Sequence, residues 1–393
     1  MFRLLALLSI VTLAGCATDK PLDFDCPRIA EFLVPLPVTP AGPLRMAGGP
    51  STAASRSADD PFTASLRSAL ATPTAKAVST EPSVLVLSGG GEWGAYGAGL
   101  LDGWSRQTDP AEARPSFAVV TGVSTGAMQA TFAFLGRDDQ LIRAYTIKDE
   151  RDVVIRHGSL FFLSHGSTAD LSPLRVRARD LTGPLLDDVA REAAKGRLLY
   201  VGTVDALSGQ MYAVDLTAMA SSMTGEPRLQ CYTGAIMASA AIPVVFRQIT
   251  INGHPYFDAG VRNSVFVSGL QEAAARALRD DPNAKARLYI LMNGEPGVRP
   301  KSHLDAKILP TLNRLRSITF DQIEQDSVFN AYVTASRLRN VMTFVATAKG
   351  HGCVMAEDDE DIFNPAFMSC LTEAGRRRWT QGSPWMAYPA TSE

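Results

Sequence analysis

Two abrupt junctions between apolar runs and glycines constrain this chain most. Val84-Leu85-Val86-Leu87 is a continuous apolar run, closed at once by Ser88 and three glycines, Gly89, Gly90 and Gly91. Phe117-Ala118-Val119-Val120, within Ser116 to Thr121, is a second run, ending at Gly122. A strand that is apolar on both faces must be covered on both faces, which is typical of parallel sheets. Each junction leads into a helical stretch, Gly94 to Trp104 and Thr125 to Leu135. Leu198 to Val204, Arg287 to Met292 and Val341 to Ala346 read as further strands. Gln271 to Arg279, Leu304 to Arg339 and Pro365 to Arg378 read as helices. This alternation predicts an α/β fold: a three-layer sandwich on a mostly parallel central sheet, with a helical C-terminal extension. We place it in one domain over 83–393, with its motif-bearing core over 83–266.

Upstream the chain has a different character. Behind Arg3, Leu4 to Leu13 is apolar except for Ser9 and Thr12. That is too short to cross a bilayer, which takes roughly 20 residues, and it fits a secretory signal. It ends in Leu13-Ala14-Gly15-Cys16, which resembles the lipobox of bacterial lipoproteins. The resemblance implies removal of residues 1–15 and acylation (palmitate among the chains) of Cys16, giving a membrane anchor. Ala17, rather than Asp, implies passage to the outer membrane, facing the periplasm or the outside. From Pro40 to Pro82, 30 of 43 residues are Ala, Pro, Gly, Ser or Thr, so 16–82 reads as a flexible tether. Within it, the more apolar Ile29 to Val38 can dock on the body or the membrane.

Composition excludes several functions. Lys and Arg number 38 against 40 Asp and Glu, so no basic excess exists to neutralise a nucleic acid. Five cysteines are too few for a disulfide scaffold at this length. Cys353 and Cys370 are spaced to permit one bridge. Without a CxxC or a Cys/His cluster, no structural metal is expected, and no cofactor is implied.

Three motifs carry chemistry. Gly122-Val123-Ser124-Thr125-Gly126 is a GxSxG between a buried strand and a helix. A nucleophile on so tight a turn needs glycine neighbours, here Gly122 and Gly126, to avoid clashes. The helix behind it turns its amides and positive dipole end toward developing negative charge. Ser88-Gly89-Gly90-Gly91-Glu92-Trp93-Gly94 lacks the Lys-Ser/Thr ending of a triphosphate loop and the spacing of a dinucleotide loop. Its free amides suit an oxyanion hole, where one donor lowers an acyl-transfer barrier by about 3 kcal/mol. Asp258, in Tyr256-Phe257-Asp258-Ala259-Gly260, reads as a carboxylate held at a strand end.

Together and in this order, the three motifs resemble the patatin-like phospholipase family. Ala238 to Phe246 (ASAAIPVVF) is similar to the family's ASxAIPxxF segment, and Asp170 to Leu174 to its D-x-x-P-L stretch. The likeness covers about 83–266 and extends loosely to Phe363–Met368. It implies a serine lipid acyl hydrolase of the phospholipase A or lysophospholipase type, acting on membrane phospholipid or another acyl ester. Ser124 would be the nucleophile, Asp258 the base of a Ser-Asp dyad, and Gly89, Gly90 and Gly91 the oxyanion hole. Two positions depart from the family pattern. Trp93 stands where a basic residue is usual, and Ala259 follows the Asp. With an ordinary pKa of about 3.9, Asp258 would be ionised at neutral pH and able to accept the Ser proton directly. Two other readings stay open: an α/β-hydrolase esterase with a Ser-Asp-His triad using His351, and a catalytically degenerate lipid-binding lipoprotein.

Overall fold

The computed structural model describes residues 21–36, 81–157, 159–266, 285–305, 307–336, 341–355 and 361–387. In chain order its strands are β1 (Asp23–Phe24), β2 (Leu33–Pro35), β3 (Ser83–Leu87), β4 (Val119–Gly122), β5 (Ile155–Arg156), β6 (Ala169–Asp170) and β7 (Leu198–Asp205). They continue with β8 (Met211–Asp215), β9 (Ile249–Ile251), β10 (His254–Asp258), β11 (Ala286–Leu291), β12 (Val341–Ala346) and β13 (Met386–Ala387). The apolar runs that read as strands form the middle of one sheet, β7-β4-β3-β11-β12, and every pairing among them is parallel. β5 and β6 make a separate small ladder.

Alternation along β3 shows why both faces are apolar. Leu85 and Leu87 point into one core, shared with helices Gly94–Ser105, Thr125–Leu135, Gly225–Ser239 and Pro365–Arg378. Val84 and Val86 point into the other, which includes Val328 and Ala331 of the long helix Ile308–Ser336. The sheet is therefore the middle of three layers, as the sequence predicts. Helices Thr125–Leu135 and Pro365–Arg378 and strand β12 keep the boundaries read from the sequence. The last helix starts on Pro365 because Asn364 caps it, accepting from Phe367 N–H at 2.9 Å.

The antiparallel additions were not expected. β9 and β10 form a hairpin around Asn252-Gly253, both at positive φ. β10 also runs antiparallel to β7, and β8 folds back along the opposite edge of β7. A tether over the whole of 16–82 is also corrected, because residues 21–36 belong to the body. β1 pairs with β9, β2 pairs with β8, and Phe24 and Phe32 are core residues. Two apolar anchors and a disulfide, Cys26–Cys231, hold this segment down. Cys353 and Cys370 form a second disulfide. The signal segment, Cys16, the tether over 37–80 and the expected helix Gln271–Arg279 lie outside the described residues. Among the described residues, no helix is long and apolar enough to cross a membrane.

Candidate active site

One edge of β7 brings the distant motifs together. Along that edge β4 pairs up to Gly122, opposite Val201. Two residues further on, β10 takes over and ends with Asp258 opposite Thr203. β4 arrives parallel and β10 antiparallel, so their C-terminal ends meet across Gly202. A Cβ added there would lie 3.0 Å from Ala259 and 3.1 Å from Val123. The register of one strand thus places the GxSxG turn against the Asp motif.

The turn has the strained form its sequence demands. Ser124 sits at φ 55, ψ −121, a conformation that costs a non-glycine residue about 1–3 kcal/mol. Cβ atoms at Gly122 and Gly126 would each come within 2.3 Å of a backbone oxygen, that of Gly126 and of Leu87 respectively. The Ser124 N–H donates to Ser239 Oγ at 3.0 Å, and its hydroxyl does not cap the following helix. Ser239 lies in the 238–246 segment, which supports the site at a second point: Ala241 O accepts from Asp258 N–H at 3.1 Å.

Asp258 is completely buried. Its Oδ1 accepts from Gly260 N–H at 2.7 Å, while Oδ2 has no partner of ordinary hydrogen-bond geometry. Burial pushes the carboxyl up to about 7, and Ser124 and the Gly260 N–H hold it down only in part. Burial thus opposes the ordinary ionisation expected of Asp258 at neutral pH. Desolvation raises the carboxyl about as far as a base working at neutral pH needs.

The glycine loop lies beside Ser124: a Cβ on Gly89 would be 3.4 Å from the Ser124 Cβ. Of the three expected donors, Gly89 N–H is engaged, donating to Ser264 Oγ at 3.2 Å. Gly90 and Gly91 follow at positive φ, 146 and 58. Gly90 has no room for a side chain, since a Cβ would come 1.7 Å from Asn293 O. Asn293 Nδ2 donates to Ser88 O at 2.8 Å and to Gln129 Oε1 at 2.9 Å. Gln129 Nε2 donates in return to Asn293 Oδ1 and to Gly94 O. Sequence reasoning missed Ser239, Ser264, Asn293 and Gln129. The one available signal was Gln129, a polar residue inside an otherwise apolar helix.

A mainly apolar pocket opens from Ser124 and Gly91 and is walled mainly by Met128, Phe132, Leu174, Ile242, Phe246 and Met368. Arg177 is the charged residue of its wall, and carbonyls occupy its Nε and Nη2. Its Nε donates to Ala144 O, and Nη2 to Thr146 O and Arg143 O. The chamber is therefore suited to a hydrocarbon chain, with polarity concentrated at Ser124.

Trp93, His351, Phe367 and Arg299 form a neighbouring cluster. The Trp93 ring meets His351 and Phe367 edge-on, and the Arg299 guanidinium lies over it, 4.9 Å from its centroid. A cation thus stands beside position 93 although the residue there is Trp. His351 Nδ1 accepts from Cys353 N–H at 2.9 Å, and Nε2 lies 3.6 Å from Glu295. Neither nitrogen contacts Ser124 or Asp258, so the structure does not assemble a triad on His351. Among the described residues, no three His, Cys, Asp or Glu side chains group as metal ligands.

Residues 85–270 match the family model described as patatin-like phospholipase. No curated protein matches the chain.

Proposed function

We propose that this chain, whose residues 85–270 match the patatin-like phospholipase model and support a lipid acyl hydrolase in general terms, cleaves carboxylic esters with a Ser124–Asp258 dyad. The observation that carries this is the meeting of Ser124 and Asp258 at one edge of β7, at the foot of an apolar chamber. Ser124 Oγ attacks the ester carbonyl carbon and its proton passes to Asp258. The N–H groups of Gly90 and Gly91 then stabilise the oxyanion, with the helix N-terminus at Thr125 behind them. Collapse expels the alcohol, which takes the proton from Asp258 and leaves an acyl-enzyme. A water deprotonated by the same carboxylate releases the fatty acid.

The mainly apolar walls of the chamber, which suit an acyl chain, support a phospholipase A or lysophospholipase activity. The lipobox-like run ending at Cys16 supports acylation there and anchoring at the outer membrane. The disulfides Cys26–Cys231 and Cys353–Cys370 suit an oxidising compartment outside the cytosol. Fatty-acid release from a panel of phospholipids and lysophospholipids tests the proposal. Ser124→Ala should lose roughly 10⁴-fold in rate while its melting temperature stays near that of wild type. Equal release by wild type and Ser124→Ala would end the proposal.

A further inference from the structure

Glu324 reaches the glycine loop from the long helix Ile308–Ser336, outside the stretch that carries the motifs. Its Oε1 lies 2.6 Å from Ser88 Oγ, and its Oε2 lies near Gly294, 3.5 Å from where a Cβ on that residue would be. Ser88 Oγ is fully buried and sits at a fork. It accepts from Asn293 N–H at 2.9 Å and has two acceptors within reach, Glu324 Oε1 and Gly89 O at 2.8 Å. A hydroxyl has one proton and cannot serve both. The Gly89 carbonyl belongs to the peptide whose N–H is that of Gly90, so a bond to that carbonyl fixes where the Gly90 N–H points.

We infer that Glu324 is a positioning residue for the oxyanion loop: as a carboxylic acid it donates to Ser88 Oγ, and Ser88 then gives its own proton to the Gly89 carbonyl. This inference rests on the role proposed for Gly90. When Glu324 ionises, the Ser88 proton turns to the carboxylate, Gly89 O loses its partner, and the Gly89–Gly90 peptide is released. Burial pushes the Glu324 carboxyl up to about 7, so both states are reached in the working range. Of the charged groups around it, Asp321, one turn earlier on the same helix, acts to raise it further. Asp321 is itself held by Gly297 N–H and Gln325 Nε2. The loops packed against Glu324 present Ser88 and Gly294, neither of which titrates.

The test follows hydrolysis of p-nitrophenyl butyrate and fluorophosphonate labelling of Ser124 from pH 5 to 10. It compares wild type with Glu324→Gln, Glu324→Ala and Ser88→Ala. Wild-type kcat should fall roughly tenfold on the alkaline side, the loss expected from a misaimed rather than deleted donor. Glu324→Gln donates at every pH and should hold its rate there, about tenfold above wild type at pH 9, with KM unchanged. Glu324→Ala and Ser88→Ala should be slow at every pH and lack the alkaline fall. An active wild type whose alkaline fall persists in Glu324→Gln, or a Glu324→Ala with full kcat, overturns the inference alone. A wild type that neither hydrolyses the ester nor labels at Ser124 overturns the reading of the site as well.

Discussion

The two glycine turns of this site, 88–94 and 122–126, look alike in sequence but do different work. At 122–126 the glycines are spacers. Both lack room for a Cβ, and the unusual backbone conformation falls on Ser124 itself. At 88–91 the glycines carry the conformation: Gly90 and Gly91 have positive φ, and only Gly90 is sterically closed. The 122–126 turn adjoins its own strand and helix in the chain, with Ser239 Oγ on the Ser124 N–H and the end of β3 against Gly126 as its outside supports. The second is held from afar, by Asn293 after β11, Gln129 on the helix after Ser124, and Ser264 beyond β10. A turn between an adjoining strand and helix takes most of its form from its neighbours in the chain. A turn whose conformation falls on its glycines is braced here by other parts of the chain.

Three substitutions sharpen or break that contrast. Gly90→Ala should have the largest effect, because its methyl would drive into Asn293 O and swing the loop. A loss of roughly 10²–10³ in kcat is expected, and an unchanged kcat would show that the loop does not bind the oxyanion. Gly122→Ala should next destabilise the fold by about 3 kcal/mol in urea unfolding, since backbone blocks its Cβ. Gly91→Ala should cost least, about 1 kcal/mol for the left-handed conformation alone, because nothing lies within 4 Å of its Cβ. If Gly91→Ala unfolds the protein as readily as Gly122→Ala, the division into spacers and conformers is wrong.

How much was legible in the sequence follows the same division. β3, β4, β7 and β11 announce themselves as apolar runs because they are buried on both faces, and β12 is apolar although Met342 is exposed. Ser124, Gly122 and Gly126 are legible because strand, turn and helix adjoin in the chain. β1, β2, β8, β9 and β10 are short or pair at an edge, so no comparable run marks them. The N-terminal strands were missed because a Pro- and Gly-rich stretch separates them from the body, and only Cys26–Cys231 and the pairing with β8 and β9 tie them down. Residue identity alone gave Asp258 an ordinary carboxylate pKa. Its surroundings raise it, and those surroundings are assembled from β7, β10 and the Ala238–Phe246 segment. Gly89 was assigned a free amide because its acceptor, Ser264, lies 175 positions away.

The central claim is that Asp258 takes the proton of Ser124. The most direct measurement is the rate of fluorophosphonate attachment to Ser124 on the acid side of neutrality, with the adduct located by peptide mass. The unprotonated carboxylate is the base, so the rate should drop about tenfold per pH unit below a midpoint near 7. Asp258→Asn should remove nearly all labelling while remaining folded. A rate indifferent to pH between 5 and 7, or an Asp258→Asn protein that labels at the wild-type rate, would contradict the dyad.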